Sequence, residues 1–420
     1  MQKIWSQENK FQKFLDVELE VIHSFVKIKV IPIKDYEILK ENAKINLKEI
    51  EEIEKITKHD VVAFTRSISK KLGDEKKWIH YKLTASDVID TANALLIKEA
   101  NNEIEKELLI FLEVLKENAN KYKNTPIIGR THGIHGEPTS FGLKWLLWYD
   151  EMSRNIKRFK NAREEIETGK ISGSMGNFAN IKSNIQDMVC SNLKINSAKI
   201  STQIIQRDVY ANYIHSIAMI GNSLEKIAIE IRTLQRTEIG EVQEYFSTGQ
   251  KGSSSMPHKK NPITSENITG ISRILRGYVF SAYENIPLWN ERDISHSSVE
   301  RVIIPDATTL IQYALKRYSY TLKTLIVNEK KMFENIWITK GLVFSQRILS
   351  NLIKKEYSRE KAYDLIQNLA LKSMKENKDF KNLILENNEI NKLFNKDEIN
   401  NFFDYKYYLR EVDNIYKRVF

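Results

Sequence analysis

The stretch richest in chemistry is Lys251-Gly252-Ser253-Ser254-Ser255-Met256-Pro257-His258-Lys259-Lys260-Asn261-Pro262. Gly252 and the three serines permit close approach of backbone to a ligand. Asn261 and Pro262 read as the N-cap and first residue of a helix running through Ile263 to Ile274. Helix-end N–H groups and two ammonium groups would then surround one spot, which suits an anion. A solvated hinge between helices explains the same residues equally well.

Four further stretches carry candidate chemistry. In Lys58-His59-Asp60, a histidine beside an acid enters an apolar run, either as an acid/base or as a helix cap. In His80-Tyr81-Lys82-Leu83-Thr84-Ala85-Ser86-Asp87, hydroxyls and N–H groups could cap the next helix or meet a carboxylate. Gly129-Arg130-Thr131-His132-Gly133-Ile134-His135-Gly136-Glu137-Pro138 sets two histidines among glycines. That pattern fits proton transfer by a positioned imidazole better than a metal site, since the segment gives no full ligand set. Glu291-Arg292-Asp293-Ile294-Ser295-His296-Ser297-Ser298-Val299-Glu300-Arg301 offers two arginines and serines, which grip a phosphate or form a surface ion-pair ladder.

Long helices are expected to position these groups. The chain has 420 residues, seven prolines and 15 glycines. No proline lies between Pro138 and Pro257 or after Pro305, so helices meet few breakers. Ile104, Leu108, Phe111, Leu112, Leu115, Ala119 and Tyr122 form one helical stripe; Ile217, Ile220, Leu224, Ile227, Ala228, Ile231 and Leu234 form another. Phe25 to Ile33 is the best strand candidate, weakened by Pro32. The expectation is an almost wholly α-helical bundle protein in three blocks: 1–90, 91–340 and 341–420. The net charge of +10 is spread over lysines interleaved with glutamates, so solvated helix faces are expected rather than a nucleic-acid surface. No apolar run reaches the length of a membrane span. The start is not a secretory signal and Cys190 is the one cysteine, so a cytoplasmic protein is expected.

Together the five stretches resemble the fumarase/aspartase superfamily and, within it, the adenylosuccinate lyase family. Gly252 to Pro262 matches the superfamily pattern G-S-S-x-M-P-x-K-x-N-P at every fixed position. His258 before Lys259, the Thr131-His132-Gly133-Ile134-His135-Gly136-Glu137-Pro138 segment, Lys58-His59-Asp60 and Gln203 in Ser-Thr-Gln-Ile-Ile-Gln-Arg-Asp resemble the adenylosuccinate lyase version. The resemblance extends from about Ile4 to the end. It implies an all-α, three-domain fold whose long central helices build a twenty-helix core in a homotetramer, with active sites shared between subunits. It implies β-elimination of fumarate from a succinyl-amine nucleotide, with no metal or organic cofactor.

By the match, Ser253 is the base on a loop that closes over substrate. His132 is the acid, oriented by Glu266, and His59 assists. Lys259, Asn261, Ser254, Thr84 and Ala85 would face the succinyl carboxylates. Arg292, Ser297 and Arg301 would hold the phosphate, with Lys58, Asp60, His80 and Gln203 also on the substrate. Three departures stand out. The sequence begins too late to include an Arg-Tyr pair that usually precedes the Ile4-Trp5 equivalent, so either the true start lies upstream or the phosphate grip is weaker. Ala85 removes a hydroxyl from the family's Thr-Ser-x-Asp, and Lys82 replaces a usual glycine. Argininosuccinate lyase or another sibling, and a non-catalytic structural homologue, are the alternative readings.

Overall fold

The two apolar stripes are helix faces. The first lies on Ala85–Lys121, a helix of 37 residues, and runs on to Tyr122; the second lies on Arg207–Leu234. Every member of both is buried except half-buried Leu112. Ala85–Lys121 holds no glycine or proline and is rich in Ala, Leu, Glu and Lys, so propensity and pattern agree. Phe141–Ile166, Ile263–Tyr283 and Ser295–Lys323 are the other long helices beyond the N-terminal region. No helix is long and apolar enough to cross a membrane.

The computed structural model describes residues 1–420, which gather into two compact units. The first comprises Met1–Ile110, Met152–Glu225 and Asn267–Arg317. Its N-terminal core centres on Phe11, Phe14 and Phe64. Phe11 stacks on Phe64 at 5.9 Å, and Phe14 meets both edge-on at 5.5 and 5.6 Å. The second comprises Phe111–Glu151, Lys226–Glu266 and Tyr318–Phe420. There Phe344, Phe380 and Phe403 form an aromatic core that Ile128 joins.

Strand content is small. Pro126–Thr131 and Ile134–Ser140 form an antiparallel hairpin, and two further pairs are two residues each. The strand expected at Phe25 to Ile33 is absent. Phe25 instead continues the buried stripe Phe14, Val17, Val21, Ile22 of the helix Gln7–Lys27, and a turn leads from it to the next helix at Ile33. Its alternation was the end of a helical stripe running into a turn. The proline-free stretch after Pro138 is also more broken than expected. Residues 170–182 are irregular, because Gly173 and Gly176 take φ of +80° and +74°, a region open to glycine. Cys190 is buried beside Gly169, and burial pushes its thiol pKa up to about 12.

Candidate active site

The loop Lys251–Pro262 is held by its own short-range bonds. Ser253 Oγ accepts from the Met256 N–H at 3.0 Å and the Ser255 N–H at 3.3 Å. Both donors stabilise negative charge on that oxygen. Asn261 Nδ2 donates to the Gly252 carbonyl at 2.9 Å, cinching the loop across its two ends. A Cβ on Gly252 would come within 2.0 Å of the Lys259 carbonyl oxygen, so only glycine fits. Lys259 is exposed, and so is Glu266 in the first turn of the following helix.

The start of that helix corrects the expected cap. Asn261 does not cap it. The Glu244 carboxylate does, accepting from Thr264 N–H at 3.1 Å, Ser265 N–H at 2.8 Å and Ser265 Oγ at 2.7 Å. A buried anion from the chain itself thus occupies the helix end. Gln235 completes the anchor: its Oε1 accepts from Glu244 N–H, and its Nε2 donates to the Lys260 carbonyl. Met256, His258, Lys259, Lys260 and Asn261 line a cavity of about 980 Å³ together with Arg232, Arg236 and Glu266.

His132 sits at the tip of the hairpin. Thr131 pairs with Ile134, leaving His132-Gly133 as a two-residue turn with φ of +56° and +79°. Two positive φ values suit the twist of a tight hairpin. A histidine there is strained by about 1–2 kcal/mol, and its ring stands exposed. The hairpin is fixed below its tip. Arg130 forks onto buried Glu241 at 2.7 and 3.0 Å, and Asn335 donates to the same carboxylate.

The first unit holds a pocket of about 230 Å³ lined by Trp5, Lys10, Asp60, Arg207, Arg292, His296, Ser297, Glu300 and Arg301, among others. Asp60 is met by Lys10 at 3.2 Å, the Val61 N–H at 2.8 Å and Arg301 at 3.8 Å. Burial works against its carboxylate, yet these partners outweigh burial and hold its pKa below the usual value. Arg207 is buried and doubly paired, to Asp90 at 2.9 and 3.0 Å and to Glu300 at 2.9 Å. Its pairing with Glu300 replaces the surface ladder considered for that stretch. Asp293 instead accepts from the Ser295 hydroxyl and from the Trp289 and Ser295 amides, which hold its pKa down to about 2. Arg292 makes no ion pair; its Nη1 donates to Gln203 Oε1 at 3.1 Å. Of the pocket's cations, Arg292 alone makes no ion pair, while Lys10 and Arg301 share the one Asp60 carboxylate, so the pocket carries an excess positive charge that would suit an anion.

The remaining candidates also lie in the first unit. His59 is the N-cap of Asp60–Ser69, with Nδ1 accepting from Val62 N–H at 3.5 Å. Lys58 ends the preceding helix in the left-handed region. His80 has φ of +60°, and Glu18 takes both its N–H at 2.8 Å and its Nδ1 at 2.7 Å. Burial lowers the imidazole pKa, but Glu18 raises it by more. Thr84 precedes the helix that begins at Ala85, and its N–H donates to Asp87. Lys82 has φ of +64°, which explains why glycine is usual there.

Several structural partners escaped the sequence reading. Lys170 is fully buried and paired with equally buried Asp87 at 2.6 Å, and it also donates to the Gly173 and Gln203 carbonyls. Arg207, Asp90 and Lys10 also line the pocket, together with Glu300, the one of them already weighed as an ion-pair partner. Their signals are weak, since a charge at a helix start or on an acidic face reads as solvated. His296 and Glu300 stand four apart in the sequence, a spacing that puts both on one helix face and is the local clue to the pair.

Solved structures share this fold. A fumarate lyase from Mesorhizobium sp. BNC1 superposes with a TM-score of 0.92 at 21% identity, covering 100% of this chain and 96% of that one. A 3-carboxy-cis,cis-muconate lactonizing enzyme from Pseudomonas putida gives 0.90 at 21% identity, covering 100% and 95%. At that identity the likeness shows the fold, an all-α fumarate-lyase-type fold. In sequence, the family described as Lyase matches residues 1–277, and the one described as Adenylosuccinate lyase C-terminus matches 341–419. A protein of Staphylococcus saprophyticus named adenylosuccinate lyase is 50% identical over 418 residues, spanning 100% of this chain and 97% of the relative. The chain belongs to the adenylosuccinate lyase family.

Proposed function

We propose that the chain is a lyase of purine nucleotide biosynthesis that eliminates fumarate from adenylosuccinate, giving AMP, and from succinyl-aminoimidazole carboxamide ribotide. The observation that carries this reading is Ser253 Oγ lying in the reach of two backbone N–H donors, on the loop that matches the superfamily pattern. A serine hydroxyl is a poor base in water, so its alkoxide must be stabilised. The two N–H groups supply that stabilisation without neutralising the oxygen.

In the proposed reaction Ser253 takes the proton from the carbon beside a succinyl carboxylate. The C–H electron pair first spreads into that carboxylate as a carbanion-like intermediate, then forms the C=C bond of fumarate as the C–N bond breaks and its pair leaves on nitrogen. His132 delivers the proton to that nitrogen, supported by Glu266. Lys259 and Asn261 face the carboxylate that receives charge, with Ser254, Thr84 and the backbone at Ala85. Arg292, Ser297 and Arg301 seat the phosphate, while His59, Lys58, Asp60, His80 and Gln203 order the rest of the site. Asn261 donates to the Gly252 carbonyl and Gln203 accepts from Arg292, and these bonds position the Ser253 loop and Arg292.

The working form is proposed to be a cytoplasmic homotetramer whose subunits share active sites and whose chain is organised in the three blocks 1–90, 91–340 and 341–420. Exposed apolar side chains on the long helices support it, among them Leu109, Leu147, Ile229, Phe280 and Tyr320. Purified protein should release fumarate and AMP from adenylosuccinate, followed by absorbance. No turnover at micromolar enzyme would falsify the reading. Faster turnover of argininosuccinate would move the chain to the sibling activity.

A further inference from the structure

Two of the pocket's three arginines are held in opposite ways. Arg207 is neutralised by Asp90 and Glu300. Arg292 is held by two uncharged acceptors, the Oε1 of Gln203 at 3.1 Å and the Nε2 of His296 at 3.4 Å. Neutral acceptors fix a guanidinium without cancelling its charge, so the charge stays available to a ligand.

His296 is buried, and its surroundings define its state. Nε2 faces only a donor, Arg292 Nε, and accepts from it. A neutral ring then has its proton on Nδ1, which lies 3.0 Å from Glu300 Oε2 and donates to it. Arg207 Nε and Nη2 also approach Nδ1 at 3.3 Å, so arginine donors face both ring nitrogens and Glu300, at Nδ1, is the one acceptor for a ring proton. The order of contacts is therefore Asp90, Arg207, Glu300, His296, Arg292. A buried, paired base ends in a neutral acceptor aimed at the one unpaired cation.

We propose that His296 is a positioning residue for ligand phosphate. It holds Arg292 in place through a neutral acceptor and so keeps that guanidinium fully charged toward the pocket. The inference rests on the pocket seating the nucleotide phosphate. Three replacements separate position from charge. Gln at 296 can offer a neutral acceptor, Leu offers none, and Glu offers an acceptor that cancels the charge.

The test is binding of AMP and of fumarate to the full-length protein by calorimetry, with steady-state kinetics, for His296→Gln, His296→Leu, His296→Glu and Arg292→Met. The loss of a hydrogen bond to a charged group corresponds to about a tenfold weakening. AMP should bind about tenfold more weakly to His296→Leu and His296→Glu, with KM rather than kcat carrying the kinetic change. His296→Gln should restore most of the affinity, and fumarate binding should not move. Equal losses in all three His296 variants, in step with a fall in melting temperature, would show a merely structural histidine and overturn the inference. So would unchanged AMP affinity in His296→Leu alongside a clear loss in Arg292→Met. Unchanged AMP affinity in Arg292→Met would instead overturn the phosphate reading itself.

Discussion

The Ser253 loop and the Arg292 pocket are built on different principles. The pocket is braced by buried charge: Arg207 with Asp90 and Glu300, and nearby Lys170 with Asp87. Those pairs lie in low dielectric and need every partner. The loop has no buried ion pair. It is held by an Asn261 amide, a Gly252 that no other residue could replace, and hydrogen bonds within three residues of Ser253. A region that seats a ligand can be rigid before the ligand arrives. A loop with the proposed role, opening for substrate and then making a serine basic, is better held by bonds it can remake.

This contrast predicts that loop variants cost rate and pocket variants cost stability or affinity. The largest expected effect is in Ser253→Ala, where removing the base should lower kcat about 10³-fold with the melting curve unchanged. A variant keeping near-full kcat would remove Ser253 from its role, and the same measurement applies to His132→Ala. Next comes Asp87→Asn. It strands a buried ammonium and should destabilise the protein by about 3–5 kcal/mol, read as a lower urea midpoint. A midpoint like that of the wild type would mean the brace is not used. Lys82→Gly should work the other way, relieving left-handed strain and raising stability by roughly 1 kcal/mol with kcat unaltered. Any loss of stability there would show that the side chain matters more than its backbone.

The smallest effect concerns pH. His80 has its pKa raised from 6.5, with Glu18 outweighing burial. Its contribution to stability is complete below 6.5 and fades as pH rises through the raised folded value. Melting temperature measured upward from pH 6 should therefore decline in the wild type. In Glu18→Gln it should start lower and decline less. Parallel curves would dismiss the clamp as a source of stability.

Much of the molecule was legible in the residues. The helical stripes were readable because a 3.6 period needs only local sequence. The loop was readable because eight fixed positions in eleven leave little to coincidence. What escaped depends on partners far apart in the chain. Asn261-Pro262 looks like a helix start, yet the cap comes from Glu244, and nothing local records that a carboxylate twenty residues earlier will fold back. Arg207 reads as an ordinary polar residue at a helix start until Asp90 and Glu300 arrive from other helices. The Phe25–Ile33 alternation failed for a related reason. A stripe that ends at a turn imitates period two over a few residues, and burial in the helical core decides between them.

The lone cysteine has a practical consequence. With its thiol buried and its pKa pushed up to about 12, Cys190 should stay silent toward maleimides in neutral buffer. A single thiol placed on the exposed loop, as in Lys251→Cys, would then be the one reactive handle on an otherwise native chain. A fluorophore attached there could report whether the loop opens and closes as proposed, without first removing the natural cysteine.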